Sequence, residues 1–300
     1  MKKALVLGGT QFFGKRLVQN LLDADWDVTI ATRGKTPDSF GNKVQRLQLD
    51  RCDKGTLEAA FSSDDTYWDS VFDQTCYSPI EVKDVIEILA GKIGHYVFTS
   101  TMAVYDYGTD KKESDYDPYS YPVEMRSRKE YIGMEGYREA KRQAEAVLFQ
   151  AAPFSAAAVR FPLVIGPDDY TGRFQFHVDR VKAGEPIGIA NLQHRIGFIT
   201  SEDAGRFLHF AAREKLTGPF NAGSPGDLSL RELLGRIESA TRTAASTPIV
   251  ELTDPQSRSP YDVGGSLSID VTKAASAGFD FKPMNETITE LIDLYIHQNQ

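Results

Sequence analysis

Near the N-terminus the apolar run Lys3–Leu7 stops at Gly8-Gly9-Thr10-Gln11-Phe12-Phe13-Gly14, and an amphipathic stretch with Leu17, Val18, Leu21 and Leu22 on one face follows at once. A strand that ends in glycines and opens into a helix commits a chain to the βαβ unit, because the helix must pack back onto a parallel sheet. The glycines let backbone N–H groups approach a pyrophosphate, and the helix N-terminus favours its charge. In this context Gly8, Gly9 and Gly14, with the intervening Thr10, Gln11, Phe12 and Phe13, match the dinucleotide fingerprint. Gln11 stands where the middle glycine is usual, so contact with the pyrophosphate differs in detail. The plainer reading is a tight turn with no ligand.

Alternation of short apolar runs with amphipathic stretches continues through the first half. Strands are expected at Lys3–Leu7, Asp27–Thr32, 44–49, Ser70–Asp73, 95–99 and 155–160, and helices at 13–22, 80–90 and 136–151. Asp53 is the expected cap of a further helix starting near Lys54. Beyond Arg160 the pattern turns irregular, with helices expected at 174–183, 201–214, 230–240 and 285–297. Ser229 with Glu232 reads as a capping box, and Ser201 as another cap. The expected fold class is α/β: a Rossmann-type doubly wound parallel sheet with a smaller C-terminal α/β substrate lobe. Residues 1–162 would form the dinucleotide-binding domain and residues 163–300 mainly the substrate lobe, some segments returning to the core.

The end of the second strand decides between the two nicotinamide dinucleotides, since an acidic residue there bonds the ribose hydroxyls of NAD. This chain has Ala31-Thr32-Arg33-Gly34-Lys35. Arg33 and Lys35 would suit a ribose 2′-phosphate, which favours NADP over NAD. A solvated loop charge is the other reading of Arg33. Asp50, followed by Arg51, ends the third strand where a carboxylate accepts from an adenine amino group. Gln74, Thr75 and Cys76 leave the fourth strand where the chain passes beneath a cofactor.

Tyr137 and Lys141 stand four residues apart on an expected helix, so phenol and ammonium share one face. Such a lysine holds a cofactor ribose and lowers the phenol pKa, while the phenol exchanges a proton with a substrate alcohol. Without the glycine turn upstream, the pair would read as an ordinary surface feature.

The formal net charge of −8 argues against a nucleic-acid footprint. The opening apolar run is too short for a signal peptide, and no later stretch approaches membrane-spanning length. Cys52 and Cys76 have no CxxC spacing and the histidines no ligand spacing, so no metal is implied. A cytoplasmic protein with a small-molecule substrate and neither a nucleic-acid nor a membrane partner is expected.

Four segments together resemble the extended short-chain dehydrogenase/reductase family, also called the NAD-dependent epimerase/dehydratase family. They are the glycine turn, Phe98-Thr99-Ser100-Thr101-Met102-Ala103-Val104-Tyr105, Tyr137-Arg138-Glu139-Ala140-Lys141, and Arg160-Phe161-Pro162-Leu163-Val164-Ile165-Gly166-Pro167. The resemblance implies a catalytic set of Thr101, Tyr137 and Lys141, with Ser100 the neighbour that a one-residue slip would choose. It places Thr99 and Pro162 beside the cofactor, and Met102, Tyr105, Arg173 and Arg180 as candidates for the substrate. Arg173 or Arg180 would take an anionic group or sit in a salt bridge. His177 reads as a partly exposed helix residue. Family members that dehydrate sugars carry Asp-Glu after the threonine; Met102 and Ala103 stand there, so dehydration is not expected. Leu163 replaces an asparagine frequent in sugar epimerases.

The implied activity is hydride transfer at a secondary alcohol or ketone of a small or sugar-like substrate, by a reductase or by an epimerase with retained NAD. The opening Gly-Gly-Thr-x-Phe-x-Gly also resembles a branch that includes plastid stem-loop RNA-binding proteins. That likeness keeps a second class open, a non-catalytic NADP-binding regulator or RNA-associated protein. Tyr107, Tyr116, Tyr119, Tyr121 and Tyr131 would line a substrate mouth or pack within a solvated insertion. The family also implies a homodimer through helix 80–90 and the helix of Tyr137.

Overall fold

The computed structural model describes residues 1–62, 65–250 and 254–298. In chain order its elements are β1 (Lys3–Leu7), α1 (Phe12–Asp23), β2 (Asp27–Thr32), β3 (Gln45–Gln48), α2 (Lys54–Phe61), β4 (Ser70–Asp73), α3 (Pro79–Ile88), β5 (His95–Thr101), β6 (Gly108–Lys111), α4 (Gly133–Ala151) and β7 (Ser155–Phe161). Then come β8 (Leu163–Ile165), α5 (Arg173–Ala183), β9 (Arg195–Ile196), β10 (Phe198–Thr200), α6 (Ser201–Arg213), β11 (Gly218–Asn221), β12 (Leu228–Ser229), α7 (Leu230–Thr241), β13 (Leu267–Ile269), α8 (Thr272–Ser276) and α9 (Met284–His297).

Seven strands form the central sheet in the order β11-β7-β5-β4-β1-β2-β3, every neighbouring pair parallel. β1, β4, β5 and β7 are apolar on both faces and buried on both, as strands covered by crossover helices must be. One face packs Val6, Phe72 and Val97 with α1 and α6; the other packs Leu5, Val71 and Phe98 with α2, α3 and α4. α6 lies against α1, and a Cβ on Gly205 would stand 2.9 Å from the Leu17 backbone nitrogen.

The chain runs outward from β1 to β3, returns to β4, and continues the other way. A crevice therefore opens between β1 and β4, where Leu7 is in register with both Ala31 and Asp73. A four-stranded sheet, β12-β9-β13-β6, and the pair β8/β10 border that crevice, backed by α5, α7 and α9.

Asp53 caps α2 by accepting from Gly55 N–H, and Ser229 with Glu232 forms the capping box of α7. Ser201 does not cap α6. Thr200 does so, accepting from Asp203 N–H at 2.8 Å, and Ser201 Oγ donates to Asp168 instead. The cap must be extended, and residue 201 already has helical partners.

Candidate active site

Gly8 (φ +114°) and Gly9 (φ +92°) turn the chain out of β1 in a conformation that L side chains avoid. A Cβ on Gly9 would also lie 2.9 Å from both Val6 and Val18, so this glycine lets helix and strand touch. A Cβ on Gly14 would collide with the Gln74 amide and approach Gly9 Cα to 3.2 Å. Gly9 and Gly14 thus serve the close packing of the turn, while Gly8, Thr10 and Gln11 border open space.

That space is a cavity of about 350 Å³ at the ends of β1, β2 and β3, also lined by Arg33, Lys35 and Asp50. Among the described residues, neither Arg33 nor Lys35 has a carboxylate within 4 Å, whereas Asp50 uses one oxygen to accept from Cys52 N–H at 3.0 Å. Arg51 borders the same cavity but is anchored to the buried Asp73 by bonds of 3.0 and 2.6 Å, leaving Nη1 buried without a partner. Arg128 closes the cavity from the segment before α4, donating to Thr75 O at 2.8 Å and to both Glu81 oxygens. Sequence reasoning missed Arg128, since no local pattern carries an arginine from a long connection to the far side of the crevice.

A second cavity, of about 440 Å³, lies beyond Thr75, which lines both. Thr101 from the end of β5 and Tyr137 and Lys141 from α4 meet on its wall. Phe12, Phe13, Gln74, Cys76, Thr99 and Pro162 line it too, as does Met102. Lys141 is buried and donates to Cys76 O at 2.7 Å and Thr99 O at 2.9 Å. An ammonium has three donors, so one is left over. Burial pushes the Lys141 pKa down from its ordinary value, against the fields of the Cys76 thiol, Asp73, Glu81 and Glu145.

Burial raises the Tyr137 phenol above the ordinary tyrosine range, opposed by the Thr101 hydroxyl beside it and the Arg173 charge. The Lys141 ammonium is turned to main-chain carbonyls, and the groups that oppose the rise of the phenol are Thr101 and Arg173. Thr99 Oγ1 and Gln74 Nε2 are buried on this wall with no partner. Those orphaned polar atoms, the Arg51 nitrogen and the glycine cradle are features that a dinucleotide lying across the crevice would satisfy.

Ser100 is set apart from Thr101: its hydroxyl donates to Glu145, which is paired with Arg160 at 2.6 Å in full burial. Tyr105 is corrected from substrate candidate to structural residue. It is buried, donating to Asn221 Oδ1 at 2.6 Å and accepting from Arg160 at 2.8 Å. Arg180 is likewise corrected. It lies outside the cavity, donates to Pro186 O at 2.9 Å and pairs with Glu185 at 3.4 Å. Arg173 does line the cavity. His177 is buried rather than partly exposed, bonded to Arg173 O at 2.8 Å and Ser259 Oγ at 2.7 Å. Among the described residues no cluster of three metal-ligating side chains occurs, and no helix is long and apolar enough to cross a membrane.

A doubly wound parallel sheet with a glycine turn at its switch point and a tyrosine–lysine pair across the crevice defines a dinucleotide-binding α/β architecture. The profile of the NAD dependent epimerase/dehydratase family matches residues 4–223, and the chain belongs to that family. The fold is similar to Pal from Bacillus thuringiensis (19% identity, TM-score 0.76, 99% of this chain and 100% of that one). It is also similar to UDP-glucose 4-epimerase of Thermus thermophilus, solved in complex with NAD (20% identity, TM-score 0.71, 99% of each chain). In sequence the chain is 26% identical over 229 residues to the chloroplast stem-loop binding protein of 41 kDa b of Arabidopsis thaliana. That match takes in 71% of this chain and 56% of the relative's length.

Proposed function

We propose that this chain binds a nicotinamide dinucleotide across the β1/β4 crevice and oxidises or reduces a secondary alcohol or ketone of a small or sugar-like molecule. The observation that carries the reading is the convergence of Thr101, Tyr137 and Lys141 on one cavity, which Thr75 joins to the cavity of the glycine turn. The turn's backbone, Asp50, Thr75 and Lys141 would hold the dinucleotide, whose nicotinamide supplies or accepts a hydride when bound. Arg33 and Lys35, without acidic partners, favour a 2′-phosphate and hence NADP over NAD.

The chemistry left to the chain is proton movement and orientation. Tyr137 gives its phenolic proton to the substrate oxygen in reduction and recovers it in oxidation. Thr101 bonds the same oxygen and fixes its approach. Lys141, tethered by Cys76 O and Thr99 O, keeps one donor that would bond the ribose. A reductase is preferred to an epimerase because of Leu163 and the basic end of β2. A homodimer through α3 and α4 follows from the family resemblance.

The test is to assay purified protein for retained nucleotide, then titrate it with NADPH and NADH by calorimetry. Exchangeable NADPH, bound more tightly than NADH, is the expected result. Tightly retained NAD would instead support an epimerase that recycles its own hydride. Binding of neither would favour a non-catalytic, RNA-associated protein, a reading that draws on the likeness to the chloroplast stem-loop binding protein.

A further inference from the structure

We infer that the substrate is a small organic anion whose carboxylate or phosphate lies close to the reacting carbon. The inference deepens the proposed function and rests on it. The charged side chains lining the Thr101–Tyr137 cavity are Arg138, Lys141 and Arg173, with no carboxylate among the described lining residues. In a chain of formal net charge −8, this wall inverts the sign of the whole.

Lys141 gives two of its three donors to carbonyls, and neither arginine is fully paired. Arg173 donates through Nε to Thr171 Oγ1 at 3.0 Å, and among the described residues it has no carboxylate partner. Arg138 gives one nitrogen to Tyr105 O at 2.5 Å, while its buried Nε makes no hydrogen bond. The nearest acids to Arg138 are Glu135 at 3.5 Å and Asp106 at 3.8 Å, with side chains 77% and 91% exposed. Both carboxylates stand in solvent, outside the lining of the cavity. The Tyr107 ring, 4.5 Å from the Arg138 guanidinium carbon, holds that group in place.

The position of Arg173 says where the anion would sit. It lines the same cavity of about 440 Å³ as Tyr137 and Thr101, so a group bound to it shares that space with the reacting oxygen. Guanidinium presents two parallel N–H donors that suit carboxylate and phosphate alike. Met102, Met134, Leu163, Val263 and Leu267 give the wall an apolar stretch, beside the rings of Tyr77, Tyr107 and Tyr170.

The test uses the intact chain saturated with oxidised dinucleotide and calorimetry of matched probes: 3-hydroxybutyrate against its methyl ester, and glycerol 3-phosphate against glycerol. At least one anion should bind tenfold or more tightly than its neutral partner, and which pair discriminates separates carboxylate from phosphate. Arg173→Gln should abolish that preference and Arg173→Lys keep part of it, with dinucleotide affinity alike in all three proteins. Equal binding within both pairs, including binding of neither member, overturns the inference, as does a preference that survives Arg173→Gln. If the dinucleotide itself does not bind, the proposed function fails and takes this inference with it. If it binds and the probes do not discriminate, this inference alone falls.

Discussion

Ser100 and Thr101 are neighbours on β5, yet their hydroxyls serve opposite sides of it: Ser100 donates to the buried Glu145, and Thr101 stands beside the Tyr137 phenol in the cavity. Strand geometry imposes the divergence, because successive side chains leave opposite faces. Thr101→Ala should lower turnover on an identified substrate by roughly ten- to a thousandfold, with Thr101→Ser keeping most of it. Ser100→Ala should act on folding instead, costing about 1–3 kcal/mol by removing a donor from a buried carboxylate. Steady-state kinetics and urea melts on both variants separate the roles, and a larger kinetic loss in Ser100→Ala would reverse them.

Burial holds the Tyr137 phenol protonated well past neutrality. Reduction needs that proton and oxidation needs the phenolate. Rates of reduction should therefore be flat around neutrality and fall on the alkaline side, while rates of oxidation rise with pH over the same limb. Tyr137→Phe should remove both limbs with the activity and leave dinucleotide affinity in place. Surviving turnover in that variant would show that another group carries the proton.

The unpaired charges at the end of β2 can be tested without a substrate. Replacing Arg33 and Lys35 together by serine should weaken NADPH binding by roughly ten- to a hundredfold and leave NADH nearly unaffected, since only a 2′-phosphate would meet them. An equal effect on both dinucleotides would mean that these side chains touch the shared part of the molecule.

Arg160 and Glu145 are both fully buried, with Ser100, Tyr105 and the carbonyls of Glu113 and Tyr116 around them. Arg160→Met leaves Glu145 uncompensated and should cost about 3–5 kcal/mol in denaturant unfolding. Replacing Glu145 by leucine as well should recover a large part, because the isolated charge, rather than the loss of attraction, is the heavier cost. No recovery would point to the surrounding hydrogen bonds as the larger factor.

His177 is buried against Ser259, with its ring stacked on Tyr261, and burial lowers its pKa from 6.5 to about 4. Between those values the unfolded chain binds a proton that the folded chain refuses. The stability from keeping the ring neutral is thus fully present above pH 6.5 and is lost as pH falls towards 4, by up to roughly 3 kcal/mol. Melting temperature against pH should drop less steeply over this window in His177→Gln than in the parent chain.

β1, β2 and β4 were legible to the residue, because each is a short run with an apolar centre, followed at once by glycine, arginine or glutamine. β8, β9, β10, β12 and β13 are two or three residues long, too short to show a period, and the sequence reads as irregular there. The Tyr137–Lys141 pair was legible because one helical turn carries its geometry. Tyr105 and Arg180 misled by proximity in sequence. Between Thr101 and Tyr105 a single turn of 3₁₀ helix reverses the chain inward. Arg180 shares a helix face with Arg173 but lies two turns, about 10 Å, further along α5. Arg128 had no local signal at all, since only the tertiary fold carries it to the glycine turn.

β11 is one edge of the central sheet, opposite β3, yet it is made long after the other six and lies against β7 only once the chain has passed through β8, α5, β9, β10 and α6. During synthesis the growing sheet therefore presents β7 with a row of unpaired backbone groups while some fifty further residues leave the ribosome. The late arrival of Gly218–Asn221 covers β7 and leaves that edge to a strand of four residues that includes Pro219, a poor template for a neighbouring chain.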